Sequence, residues 1–226
     1  MYDPSRFEPR RPGREPIFHV PPATMILAVV LVGIFLVTHL VLSVEQEDAI
    51  FGEFGFLPLA FLAWLDGTPI PADQALLPLI THQFLHFDAL HITLNVGMLL
   101  AVASPVERRV GWLAFLAIFL TCGVAGAIAQ TYLAIDPETR NAVLIGASGS
   151  IFGLTAVALL VQPPTARQFA LTRMIVVLMA VNVAIGLASE VGLFGDYMIG
   201  WQAHAGGFLM GLLIGWPLRR RMQRYP

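Results

Sequence analysis

Lysine is absent from the chain, so its 13 basic residues are all arginine. Cysteine occurs once, as Cys122 inside an apolar run, which excludes an intrachain disulfide framework. Charge of either sign is scarce. Only 12% of the 226 residues are charged, against about 25% in a typical soluble globule. A water-soluble domain is thereby excluded, and a hydrophobic content of 57% with mean hydropathy +0.73 excludes a disordered chain as well. What is there is apolar sequence, enough for a single polytopic membrane domain of about six or seven spans at roughly 20 residues each.

Uncharged runs extend over Thr24–Val44, Ala89–Val106, Val110–Ile135, Asn141–Ala166, Met174–Ser189 and Tyr197–Leu218. They predict an all-α polytopic membrane protein with six transmembrane helices, occupying residues 23–218. Phe54–Leu65 is too short to span, reaching about 18 Å as a helix, and contains Pro58; it reads as an interfacial or re-entrant element. The connection Glu45–Asp88 is apolar enough to rest partly in the bilayer.

Arginine placement sets the orientation. With six spans, twelve of the 13 arginines share a side, and only Arg140 lies opposite, together with 11 of the 15 acids. Both termini are therefore expected in the cytoplasm, with a bacterial inner membrane as the expected setting. Residues 1–22 hold six of the 16 prolines and four arginines, the composition of a flexible cytoplasmic arm and not of a signal-peptide hydrophobic region. Residues 219–226 are expected to form a cytoplasmic tail.

Three polar clusters interrupt the apolar runs: His91 with Asn95, Gly146-Ala147-Ser148-Gly149, and Ala203-His204-Ala205-Gly206-Gly207. Their three helices run in the same direction. Ser148 and His204 are each the eighth residue of their runs, so all three clusters can share one plane toward the outer leaflet. Polar groups at such depth are costly unless they meet one another or a wet cavity. His91 and Asn95, four residues apart, share a helical face. The pairs Gly149/Gly153 and Gly207/Gly211 permit close helix approach, close enough for a serine to meet a histidine that can take its proton.

These residues resemble the rhomboid intramembrane serine proteases. The resemblance rests on the Gly146–Gly149 motif, on Ala203-His204 with Gly207 and Gly211, and on His91 with Asn95. It also includes His82-Gln83-Phe84-Leu85-His86 and Glu107-Arg108-Arg109. It covers about Thr24 to Leu218 and implies a six-helix rhomboid-like bundle. It further implies a Ser148/His204 dyad without a third acid, and cleavage of other proteins' transmembrane segments near the outer face. The oxyanion would be held by the Ser148 backbone amide, Asn95 and His91. Transmembrane substrates and the lipid bilayer are the implied partners; neither nucleic acid nor a cofactor is expected. The sequence departs from the family at Leu77 and Pro78, where an aromatic residue followed by arginine is common, and at Phe152, which stands in for tyrosine beneath the nucleophile.

Each motif also has a plainer reading. Gly-x-Ser-Gly alone serves helix packing, His204 alone serves as interhelical glue, and His91 with Asn95 can form a polar clasp. Agreement in depth, sidedness and order favours catalysis. A metal site at His82, His86 and His91 lacks a suitably spaced carboxylate, and Asp88 reads as a helix cap. His82 and His86 are expected to tie the first loop to the bundle, and His39 is read as a packed or interfacial side chain. A non-catalytic rhomboid-like protein that binds or escorts transmembrane helices is the main alternative. A transporter would require ionisable residues within the spans and internal repeats.

Overall fold

A computed structural model describes residues 20–134, 137–162, 166–190, 193 and 200–224. The N-terminal arm up to residue 19, the acids Asp136 and Asp196, and Tyr197 lie outside the described residues. In chain order the helices are α1 (Pro22–Leu40), α2 (Val44–Phe54), α3 (Pro58–Leu65), α4 (Ala72–Leu76), α5 (Pro78–Thr81), α6 (Ala89–Val110), α7 (Trp112–Leu133), α8 (Pro137–Asn141), α9 (Ser148–Val161), α10 (Ala166–Glu190) and α11 (Trp201–Arg224). No strand occurs among the described residues beyond one isolated bridge between Phe56 and Leu144.

Among the described residues, three helices, α1, α6 and α7, are long and apolar enough to cross a bilayer; α9 and Arg173–Ser189 of α10 are shorter apolar segments. Their outward faces are hydrophobic: Ile26, Val29, Leu40, Leu90 and Leu113 are all more than half exposed. In water such faces would aggregate, and in lipid they are solvated. The chain is an all-helical, multi-pass membrane protein.

The expected runs and the helices agree at their centres and differ at their ends. The run Asn141–Ala166 is divided: Asn141 closes α8, an irregular segment follows, and α9 starts at Ser148. At the other end, α11 continues through the arginine cluster, so the expected tail is helical as far as Arg224; the Arg220 guanidinium lies 5.2 Å above the Trp216 ring. The first connection is a series of short helices. Phe54–Leu65 is split between the last residue of α2 and the eight residues of α3.

Local chemistry explains several boundaries. Ser43 and Gln46 form a reciprocal capping box at α2. Asp88 caps α6, its carboxylate accepting from the His91 amide at 2.8 Å. Between α6 and α7 the chain turns on Gly111 alone, at φ 83°, a conformation that glycine adopts without steric cost. The first turn of α1 is closed from another helix. Buried Glu107 of α6 accepts from the amides of Ala23 at 3.0 Å and Thr24 at 2.7 Å, and from the Thr24 hydroxyl at 2.7 Å. A carboxylate there satisfies orphan donors and complements the helix dipole.

The core is centred on α9, ten of whose 14 residues are buried. It packs against α11, α7 and α6, while α1 packs against α6. Leu31, Leu99, Val106, Phe115, Phe119 and Leu154 are completely enclosed there. The expected glycine seam between α9 and α11 is present. A Cβ on Gly207 would strike the Gly149 carbonyl oxygen, and one on Gly211 the Gly153 carbonyl oxygen.

Candidate active site

The irregular segment before α9 sets the position of Ser148. Phe56 and Leu144 exchange backbone hydrogen bonds of 3.0 and 2.8 Å, and the Gly146 amide donates to the His82 carbonyl at 2.8 Å, so the first connection grips this segment. Gly146 has φ 123°, and a Cβ on it would lie 2.7 Å from His91 Nε2. Both facts require glycine. The turn delivers Ser148 as the first residue of α9, where the first amides of a helix have no intrahelical acceptor.

His204 comes from the first turns of α11. Its Nε2 lies 2.7 Å from Ser148 Oγ. Phe152, one turn along α9 from Ser148, stacks on the imidazole with ring centroids 4.7 Å apart. The close approach depends on small residues: Ala203 presents its carbonyl to Gly126 and Gly149, where a Cβ would stand 2.7 and 3.2 Å from that oxygen.

His91 stands in the first turn of α6, its ring against Gly146 and edge-on to His86 at 5.0 Å. Asn95 is buried, but its amide nitrogen donates to the His91 carbonyl at 2.9 Å, within its own helix. The structure thus brings Ser148 and His204 into contact and His91 beside the turn that precedes Ser148, with the Asn95 amide engaged along α6.

The loop histidines divide their expected tasks. The Ala147 amide faces His86 Nε2 at 3.5 Å, so the His86 ring does tie the connection to the segment before α9. The His82 ring instead bonds Pro78 O at 2.8 Å inside the connection, and it is the His82 carbonyl that reaches Gly146. Burial pushes both imidazoles down, His82 to about 4 and His86 to about 3, the latter helped by nearby His91. Both remain neutral at physiological pH. Leu77 is half-exposed and Pro78 opens α5.

Several contacts were not anticipated. Ser150 Oγ donates to Gln83 Oε1 at 2.7 Å, and Gln83 Nε2 donates to the carbonyls of Leu79 and Leu120 at 3.3 and 3.4 Å; Gly123 leaves room for this junction. His39, expected to be merely packed or interfacial, bonds Phe87 O at 2.9 Å and lies 3.3 Å from Glu47. Asn182 of α10 places Oδ1 2.8 Å from His204 Nδ1. The available signal for Asn182 was an amide in the middle of an apolar run.

The family model for the Rhomboid domain matches residues 73–221, which contain Ser148, His204, His91 and Asn95. The chain belongs to the rhomboid family. Similar proteins include RHOMBOID-like protein 1 of Arabidopsis thaliana, 26% identical over 172 residues that cover 74% of this chain and 41% of the relative. Rhomboid-type serine protease 2 of Emericella nidulans is 28% identical over 147 residues, 64% of this chain and 27% of the relative. Rhomboid protease GluP of Bacillus subtilis is 32% identical over 135 residues, 59% of this chain and 24% of the relative. The rhomboid chain described here spans less than half the length of each of these relatives.

Proposed function

We propose that this rhomboid is an intramembrane serine endopeptidase that hydrolyses peptide bonds in or beside the transmembrane segments of other membrane proteins. The observation that carries the reading is the 2.7 Å contact between Ser148 Oγ and His204 Nε2 at the start of a buried helix. In the reaction, Ser148 Oγ bonds to the scissile carbonyl carbon while its proton passes to His204. His204 returns that proton to the leaving amine as the C–N bond breaks, leaving an acyl-enzyme. Water, deprotonated by His204, then releases the acid and restores Ser148. The Ser148 amide and the dipole of α9 favour the oxyanion, with His91 and Asn95 as further donors. The Asn95 amide nitrogen has a second N–H beside the one it donates to the His91 carbonyl, and that second N–H is the donor offered to the oxyanion.

The same proposal assigns spans to α1, α6, α7, α9, α10 and α11, with the first connection partly embedded in the membrane. The 14 residues of α9 reach about 21 Å, less than the roughly 30 Å of hydrocarbon. Ser148 therefore starts below the surface, in a water-accessible depression where irregular backbone is tolerated. The arginine asymmetry supports cytoplasmic ends for residues 1–22 and 219–226 around the membrane domain at 23–218, in a membrane such as the bacterial inner membrane.

Incubating purified protein with a labelled single-span substrate tests the reading. Cleavage within or next to the span, lost in Ser148→Ala, is expected. Binding of that span without cleavage would instead identify a non-catalytic rhomboid-like escort.

A further inference from the structure

The His204 ring is held at both nitrogens by different helices. Nε2 meets Ser148 Oγ of α9 at 2.7 Å, and Nδ1 meets Asn182 Oδ1 of α10 at 2.8 Å. A neutral imidazole carries one N–H and one lone pair, so a hydrogen bond at one edge decides what the other edge can do. When Asn182 accepts through Oδ1, the proton resides on Nδ1 and the Nε2 lone pair faces the Ser148 hydroxyl. With the amide reversed, its NH2 would donate to Nδ1, the ring proton would move to Nε2, and Ser148 would face a donor. Only the first arrangement contains a base.

Resting on the protease reading above, we propose that Asn182 is a positioning residue that fixes the tautomer and in-plane orientation of His204. The Phe152 stack restrains the plane of the ring. It does not prevent a flip about χ2, which exchanges Nδ1 with Cδ2 while keeping that plane. A hydrogen bond lying along the plane does discriminate. An amide suits the location because it supplies the acceptor without placing a charge in an apolar helix, as asparagine does beside histidine in papain-like proteases. Nucleophile, base and orienting group are thus distributed over α9, α11 and α10, and the expected dyad acquires a neutral third member.

The competing role for Asn182 is to tie α10 to α11, which would change stability and leave turnover intact. The test uses the full chain with a labelled single-span substrate and compares wild type, Asn182→Leu, Asn182→Asp and Ser148→Ala. Asn182→Leu fills similar space without an acceptor. It should lower kcat by about 10- to 100-fold, the range seen on losing a partner that orients a metal-bound imidazole, with KM unchanged. Asn182→Asp can accept the same bond and should recover most of that loss. Ring nitrogen NMR shifts of His204, assigned by difference from His204→Gln, should show the proton on Nδ1 in the wild type and displaced from it in Asn182→Leu.

A wild-type tautomer with the proton on Nε2 overturns the proposal, as does wild-type kcat in Asn182→Leu or an Asn182→Asp no faster than Asn182→Leu. If Asn182→Leu does not fold, the wild-type tautomer and Asn182→Asp decide. Cleavage by Ser148→Ala at the wild-type rate would refute the protease reading separately, because the tautomer measurement does not depend on turnover.

Discussion

Ser148→Ala removes one oxygen from the beginning of a helix, and alanine is a better helix former than serine. Proteolysis should vanish while the unfolding temperature holds. His204→Ala should be comparably severe, and the double variant no slower than either single one, since nucleophile and base act as a unit. Rates that multiply across the two variants would refute the pair. For Asn95→Ala, we expect kcat to fall about tenfold, equivalent to about 1.4 kcal/mol, at unchanged KM. The loss is modest because the Ser148 amide and His91 are proposed to donate to the same oxyanion. Unchanged turnover with a lower unfolding temperature would leave it only a clasp. Spacing reveals a shared face but not a partner. The four-residue interval between His91 and Asn95 marks a common side of α6, and the same interval brings the amide within reach of the carbonyl one turn back. Asn182 escaped notice because counting charges treats an amide within a span as silent. The distant partners of His39, both at Nε2, are Glu47, in the following helix, and the Phe87 carbonyl, 48 positions away.

Helix α9 carries Ser148 and α11 carries His204, and the seam between them has no space for a methyl group. Gly207→Ala, three residues beyond His204, should push the two helices apart. The cost should be about 1–3 kcal/mol of stability, the range for overpacking, accompanied by slower labelling of Ser148 by a serine-hydrolase probe. Thermal unfolding and probe kinetics measured on one preparation check both effects; an unchanged labelling rate would mean that the seam does not set the dyad distance. This seam was legible because small residues four apart on two helices leave a sequence signature. The long apolar helices α1, α6 and α7 were legible for a similar reason, as their composition alone demands lipid. The short helices between residues 44 and 81 were not, because a helix of four to eleven residues owes its existence to caps and to what it rests on. The Ser43/Gln46 box at α2 was an available sign that charge and hydropathy alone do not register.

For the whole molecule, the proposed six-span arrangement makes sidedness testable. In a Cys122→Ala background, cysteines placed at Ser5 and Arg221 should react with an impermeant maleimide from one face of a sealed vesicle, and one at Asp136 from the other. Labelling of Ser5 and Arg221 from opposite faces would require an odd number of spans. Hydropathy and arginine bias are what the proposed arrangement rests on, whereas the docking of α1 on α6 through Glu107 needs three dimensions. That contact also imposes an order in time. Thr24 is made 83 residues before the carboxylate that closes its turn, an interval of about 4–17 s at about 5–20 residues per second. Throughout it, the Ala23 and Thr24 amides lack this acceptor, so the end of α1 is finished late. The appearance of Glu107 therefore marks the earliest moment at which this end of α1 can be tied to α6.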